Sequence, residues 1–268
     1  MSGAFSEPVE RFREDYARQR EQEGRDHKGA ELRELPYLKS GPLARQWAVR
    51  ARTFDSFVDR VLRPLARRNG RPLDVLDLGA GNGWLSYRLA RDGHRCTAID
   101  IRDDAIDGLG AARELADDRH FDMVVASFDD LPMADSSMDV AIFNASLHYA
   151  TDLSAVLSET VRCLRHGGLI AILDSPFYAR SKDGEAMVTE KHRSAAAQFG
   201  GRASALLALP HIEYLTNRRL AEASRDLDLV WRRHRVTYPL WYEFRPFTAM
   251  LSGARRPSRF DFWTAEVP

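Results

Sequence analysis

One stretch constrains this chain more than any other: Val75-Leu76-Asp77-Leu78-Gly79-Ala80-Gly81-Asn82-Gly83, an apolar run that enters three glycines at alternate positions and then a helix-like segment. Glycine lets the backbone turn sharply after a buried strand and removes the Cβ atoms that would hold a ligand off. The amides of the following helix are then expected to face that ligand. A strand, glycine turn and helix in this order points to an α/β fold that binds a nucleotide-like molecule. The spacing narrows the ligand further. A dinucleotide fingerprint needs glycine at the first, third and sixth positions of the turn, and the sixth here is Trp84, whose indole would stand where a pyrophosphate approaches.

The 268 residues, 44% hydrophobic and 10% aromatic, suffice for one large core, and one domain with additions is the default at this length. Basic and acidic side chains number 39 each, so the summed charge offers no general attraction to nucleic acid or to an anionic membrane. Placement is uneven, however: residues 100–139 hold twelve acids against three basic residues, and residues 218–259 hold ten arginines against four acids. Arginines opposite apolar faces read as solvated surface, with contact to RNA as a second reading. Cys96 and Cys163 fall in apolar segments as small hydrophobes and imply no disulfide framework. The first ten residues lack the basic start and apolar core of a signal peptide, and no apolar run reaches about 18 residues, so a cytoplasmic protein is expected.

Residues 1–70 are expected to form a helical N-terminal cap. Ser6 is placed to cap a helix entered through Glu7 and Pro8 and running to Glu23, with Phe12 and Tyr16 four apart on one side. Pro36, Gly41 and Pro42 punctuate an irregular connection, after which Phe54, Phe57, Val58, Val61 and Leu62 recur at helical spacing as far as Pro64. Strand-like runs then alternate with helix-like segments at 73–78, 95–99, 123–126, 140–143 and 169–173, the rhythm of a parallel sheet. This predicts a doubly wound, Rossmann-like domain over residues 71–268, interrupted by an inserted helical cap at 176–212 that contains Gly200-Gly201. A helix from Thr216 through Leu227 and strands at 230–238 and 260–267 complete the pattern.

Glycine at the fifth position, Gly83, and Asp77 two residues before Gly79 resemble the first motif of the class I S-adenosylmethionine-dependent methyltransferases, type 11 small-molecule group. The resemblance covers about residues 74–174 through four motifs in order. It implies a mostly parallel seven-stranded sheet with the last two strands at one edge, S-adenosylmethionine as cofactor and a small-molecule acceptor. It also implies that Gly79, Ala80 and Gly81 meet the methionine end and ribose through their backbone, and that Asp77 accepts from the methionine ammonium. Asp100, seventeen residues after Gly83, would take the ribose hydroxyls beside Ile101, since a carboxylate suits two O–H donors. Asp103 and Asp104 are its alternatives or helix caps. In Ala126-Ser127-Phe128-Asp129-Asp130-Leu131-Pro132, Ser127 stands where the family carries aspartate. The adenine amino group is thereby left to Ser127 or Asp129, with Phe128 over the ring or in the core. Met138 to Tyr149 resembles the floor of the transfer site, with Asn144 at the strand's carboxyl end and His148 as a candidate base or a packing residue. Arg52, or Arg50 beside it, would meet the cofactor carboxylate in a two-pronged pair. Leu164-Arg165-His166-Gly167-Gly168 resembles the turn into the fifth strand.

No metal is implied, because the acids are scattered over several elements. Tyr16, Tyr37, Trp47, His211, Tyr214 and Trp241 are expected either over the carboxyl ends of the strands, closing on the acceptor, or as glue between helices and sheet. Three other classes are weighed. A nicotinamide reductase is opposed by Trp84, a cofactor-binding protein without turnover is kept open by Ser127, and an RNA methyltransferase lacks an Asn/Asp-Pro-Pro-Tyr run. The acceptor atom and the oligomeric state are left open.

Overall fold

A computed structural model describes residues 5–199 and 209–268. Strands β1 (Asp74–Leu78), β2 (Arg95–Asp100), β3 (Asp122–Val125), β4 (Met138–Asn144), β5 (Leu164–Leu173), β6 (Arg232–His234) and β7 (Phe262–Glu266) form one sheet in the order β3-β2-β1-β4-β5-β7-β6. The first five run parallel, and β7 lies antiparallel between β5 and β6. Chain order reverses on either side of β1, and the crevice this opens at the carboxyl ends of β1 and β4 is where open α/β sheets bind ligands.

The central strands β1 and β4 are buried along almost their whole length because helices cover both faces. Alternation along β1 sends Val75 to one face and Leu76 and Leu78 to the other. The first face packs against α2 (Gly29–Glu34), α3 (Ala44–Phe57) and α5 (Trp84–Arg91) through Leu32, Phe54, Phe57, Leu85 and Leu89. The second packs against α7 (Leu153–Cys163) through Val156 and Leu157. Helix α1 (Glu7–Gln22) stands apart, since among the described residues Phe12 and Tyr16 form a small apolar cluster of their own with Ile101, Tyr149 and Leu209. At the opposite end of the sheet from the glycine turn, the buried Asp139 accepts from Arg71 and Arg165 at 2.7 Å each and from the Asp74 amide at 2.8 Å, which pins β1 to β4.

Several local expectations are modified. Ser6 precedes α1, but its side chain makes no capping bond. The helical face expected up to Pro64 continues past it: α3 runs through a wide turn, Val58–Leu62, directly into α4 (Arg63–Asn69), and the wide turn lies just before the proline, which has no amide to donate back into the helix. The strand expected over 230–238 shrinks to β6, and β5 starts five residues early through Gly167 at φ 72°. The helix expected from Thr216 to Leu227 is split into α9 (Asn217–Ala223) and a short turn, Arg225–Leu227. In the expected cap at 176–212, α8 (Ser181–Phe199) is helical, while residues 200–208, with Gly200-Gly201, lie outside the described residues. Two short helices, α10 (Leu240–Glu243) and α11 (Arg245–Leu251), lie between β6 and β7.

Candidate functional site

Gly79, Gly81 and Gly83 all have positive φ, at 75°, 54° and 72°, so the turn after β1 needs glycine for its conformation. Space is the second requirement. A Cβ at Gly79 would fall 2.4 Å from the Ser146 Cβ, and one at Gly83 would fall 2.7 Å from the Ala112 Cβ, whereas at Gly81 the nearest atom is the Asp107 carbonyl at 3.1 Å. The amides of the turn itself are engaged. The Gly79 and Ala80 amides donate to the Ile99 carbonyl at 2.8 and 2.9 Å, and the Gly81 amide donates to Asp100 Oδ2 at 2.8 Å. The turn is stitched to the end of β2.

These residues floor a cavity of about 110 Å³ at the topological switch point. Gly79, Ala80, Gly81, Asn82 and Trp84 line it from the turn, Asp100, Ile101 and Arg102 from the end of β2, and Asp107 and Phe128 from the loops beyond. Asn144, Ala145, Ser146 and Tyr149 follow β4, while Phe12, Tyr16 and Arg20 of α1, with Arg25, Trp47 and Arg50, close the other side. Of the residues expected from the sequence, Gly79, Ala80, Gly81, Asp100, Ile101, Phe128 and Asn144 therefore meet at one cavity. The others stand off its wall. Asp77 lies buried beneath the turn, Ser127 is half-buried, Asp129 and Arg52 are exposed, and His148 lies behind Tyr149 with its ring 4.3 Å away.

Unpartnered polar atoms cluster around this floor. Ser86 Oγ donates to Asp77 Oδ2 at 2.9 Å, but Asp77 Oδ1 has no partner, and burial pushes the carboxyl up to about 7 against the opposing Ser86 bond. Asn144 Oδ1 is likewise buried and unpartnered. At the end of β5, Asp174 adopts φ 50° with Oδ1 unpartnered, and burial raises its carboxyl to about 6 in spite of the Arg50 charge. Arg20 and Arg25 are paired with Glu23 at 3.0 and 2.8 Å, and Arg102 with Asp104 at 2.8 Å. Arg50 has no ion pair or hydrogen bond among the described residues and lies over the Trp47 ring at 4.9 Å. Burial and the neighbouring Arg25 push it down to about 10, so it remains a cation near neutral pH.

Burial, with Lys191 and Arg20 nearby, pushes His148 down to about 3, and its Nδ1 is buried without a partner. A ring held this firmly neutral is a weak proton acceptor. Tyr16 and Tyr149 join their hydroxyls at 2.8 Å, and Arg20 donates to Tyr16. Of the other aromatic residues expected at a cap, Trp47 lines the cavity and His211 stands edge-on to Phe12 and Tyr149 at 5.0 and 5.4 Å. Tyr37 is bonded to Asp55 at 2.7 Å elsewhere, Tyr214 packs on Tyr178, and Trp241 is exposed. Arg20, Asn82, Arg102 and Asp107 were not anticipated. Arg20 was readable, because it follows Phe12 and Tyr16 at four-residue steps on one helix face. Asp107 meets Asn82 at 2.9 Å only through tertiary structure. Among the described residues no three His, Cys, Asp or Glu side chains group as a metal site.

Residues 76–172 match the family described as a methyltransferase domain, type 11. The malonyl-[acyl-carrier protein] O-methyltransferase of Pectobacterium atrosepticum is 33% identical over 114 residues, 42% of this chain and 42% of that protein, so the aligned part spans less than half of that relative's length. Geranyl diphosphate C-methyltransferase from Streptomyces coelicolor shares the fold across 100% of both chains at a TM-score of 0.61 and 17% identity. The Burkholderia thailandensis 1,6-didemethyltoxoflavin-N1-methyltransferase, solved with its acceptor and S-adenosylhomocysteine, aligns over 100% of this chain and 93% of that one at a TM-score of 0.55 and 18% identity.

Proposed function

We propose, from the premise that residues 76–172 form a class I methyltransferase domain of the type 11 family, that this chain transfers a methyl group from S-adenosylmethionine to a small-molecule acceptor. The supporting observation is the set of unpartnered groups around the glycine turn, whose signs match the cofactor's. Asp77 Oδ1 and Asn144 Oδ1 are buried acceptors suited to its ammonium, and Arg50 is a cation suited to its carboxylate. Asp100 at the end of β2 would take the ribose hydroxyls, with Ile101 beside it and Phe128 over the adenine. Arg50 thus takes the role first given to Arg52. A dinucleotide fits poorly, because Trp84 is buried at the sixth position and the turn's amides are engaged.

When bound, the cofactor supplies a methyl group already activated on a sulfonium. The chain's contribution is to orient the two molecules and exclude water. The cavity is smaller than the roughly 300–1,000 Å³ of ordinary ligand pockets. In this reading helix α1 moves outward to admit the ligands and closes with Phe12, Tyr16 and Arg20 over the site. His148 receives no proton-transfer role, since its ring is too weakly basic. The acceptors named for the similar proteins, a carrier-borne malonyl group, geranyl diphosphate and 1,6-didemethyltoxoflavin, are small and chemically diverse. A small organic acceptor is proposed here on that basis. Calorimetry with S-adenosylmethionine, S-adenosylhomocysteine and NADH tests the cofactor: binding of the first two is expected, and tight NADH binding without them would overturn the reading.

A further inference from the structure

The cancelling total charge hides a local surplus, and an apolar surface accompanies it. Among the described residues eight large hydrophobic side chains are exposed, and six of them, Leu240, Trp241, Phe244, Phe247, Met250 and Leu251, fall within residues 240–251. Leu240, Phe244, Phe247 and Leu251 recur at helical spacing and are 76%, 58%, 53% and 70% exposed, so they form one uncovered stripe along α10 and α11. Single exposed apolar residues are ordinary, but a contiguous set rimmed by charge marks an interaction surface. The rim is cationic. Residues 236–260 hold Arg245, Arg255, Arg256 and Arg259 against one acid, Glu243, which Arg259 and the Tyr238 amide already engage. Arg255 is paired with Glu190, Arg256 is exposed, and Arg45 of α3 lies 5.7 Å from the Trp241 ring.

We propose that α10 and α11 dock on an anionic lipid surface, lying in the interface without crossing it. Trp241, Phe244, Phe247 and the aliphatic side chains would enter the boundary between headgroups and acyl chains, with Arg45 and Arg256 among the phosphates, whereas Arg245 is held by the Ser258 carbonyl and the Tyr242 ring. A second copy of this chain fits less well, because a two-fold contact would lay the same cationic rim against itself. RNA fits less well too, since half of the six exposed side chains, Leu240, Met250 and Leu251, are aliphatic and offer no plane for base stacking beside Trp241, Phe244 and Phe247. Among the described residues no helix is long and apolar enough to span a bilayer, which agrees with surface attachment.

The test is sedimentation of the full chain with vesicles of phosphatidylcholine alone or mixed with phosphatidylglycerol, beside ultracentrifugation and a single-stranded RNA titration. Binding to the anionic vesicles only, weakened by added salt, is expected. Phe244→Ser with Phe247→Ser should abolish it, and Arg256→Gln should lower the partition about five-fold, equivalent to ~1 kcal/mol for one arginine near such a surface. All three positions are exposed, so circular dichroism should be unchanged. Absence of vesicle binding, equal binding to neutral vesicles, or an unaltered partition in the double variant would overturn the proposal. So would a dimer, or an RNA complex, that the double variant dissolves.

Discussion

Gly79 combines a positive φ with a Cβ position 2.4 Å from Ser146, so it is the least replaceable residue of the turn. Gly79→Ala should cost more than the ~1–3 kcal/mol of backbone strain alone, because the loop after β4 has to move as well. Gly81→Ala, facing one carbonyl at 3.1 Å, should cost about the strain only. Thermal melts of the two variants would check this order, and equal destabilisation would contradict it. Arg50→Gln should weaken cofactor binding by about 1.5–3 kcal/mol, the range for a hydrogen bond to a charged group, while Arg52→Gln should leave it unchanged. Asp77 carries a pH prediction. Held at about 7 in the fold and at about 3.9 in an unfolded chain, its carboxyl binds a proton more tightly when folded, so stability falls as pH rises between those values. A bound ammonium favours the carboxylate. Cofactor affinity should therefore rise from about pH 5.5 to about pH 7, with proton release on binding, and Asp77→Asn should flatten both trends. Calorimetry in buffers of different ionisation enthalpy reads the proton count, and a pH-independent affinity would remove Asp77 from the ammonium site.

At the scale of elements, α1 and α2 behave differently although both precede the sheet. Leu32 of α2 and the following Leu35 and Leu38 belong to the main core, whereas α1 contributes Phe12 and Tyr16 to a small separate cluster over the cavity. Deleting residues 1–40 should therefore unfold the protein, since each buried leucine lost costs about 2–5 kcal/mol. Deleting residues 1–24 should leave a folded protein that binds cofactor but transfers little methyl, because the roof of the site is gone. Turnover of a labelled methyl donor measures the difference, and full activity without α1 would take the lid out of the mechanism.

For the molecule as a whole, the site exists only because β1 and β4 are neighbours, which brings Asn144 and Ser146 to a glycine turn more than sixty residues away in sequence. A ligand bound there and not by the unfolded chain stabilises the whole fold. S-adenosylhomocysteine at about 100 times its Kd should add ~2.7 kcal/mol, which for a domain near this size raises Tm by roughly 5–10 °C. No shift in a thermal melt at saturating ligand would contradict the proposed cofactor.

The alternating strands from residue 73 onward and the glycine turn were determined by the sequence itself, because burial on both faces and positive φ leave local marks in residue type. Part of the cavity lining was legible to the same depth: Gly79, Gly81, Asp100, Phe128 and Asn144 sit at strand ends or in turns, where residue type and order along the chain carry the message. What only the tertiary structure decided depends on which surface meets which. Helix α3 has several arginines of similar local context, and its rotation against the sheet turns Arg50 inward and Arg52 to solvent. The amides of the turn close on Ile99 and Asp100 because β2 ends beside them. His148 has a residue type suited to proton transfer, but burial and the cations Lys191 and Arg20 around it push its basicity down, and those surroundings are a property of the assembled fold.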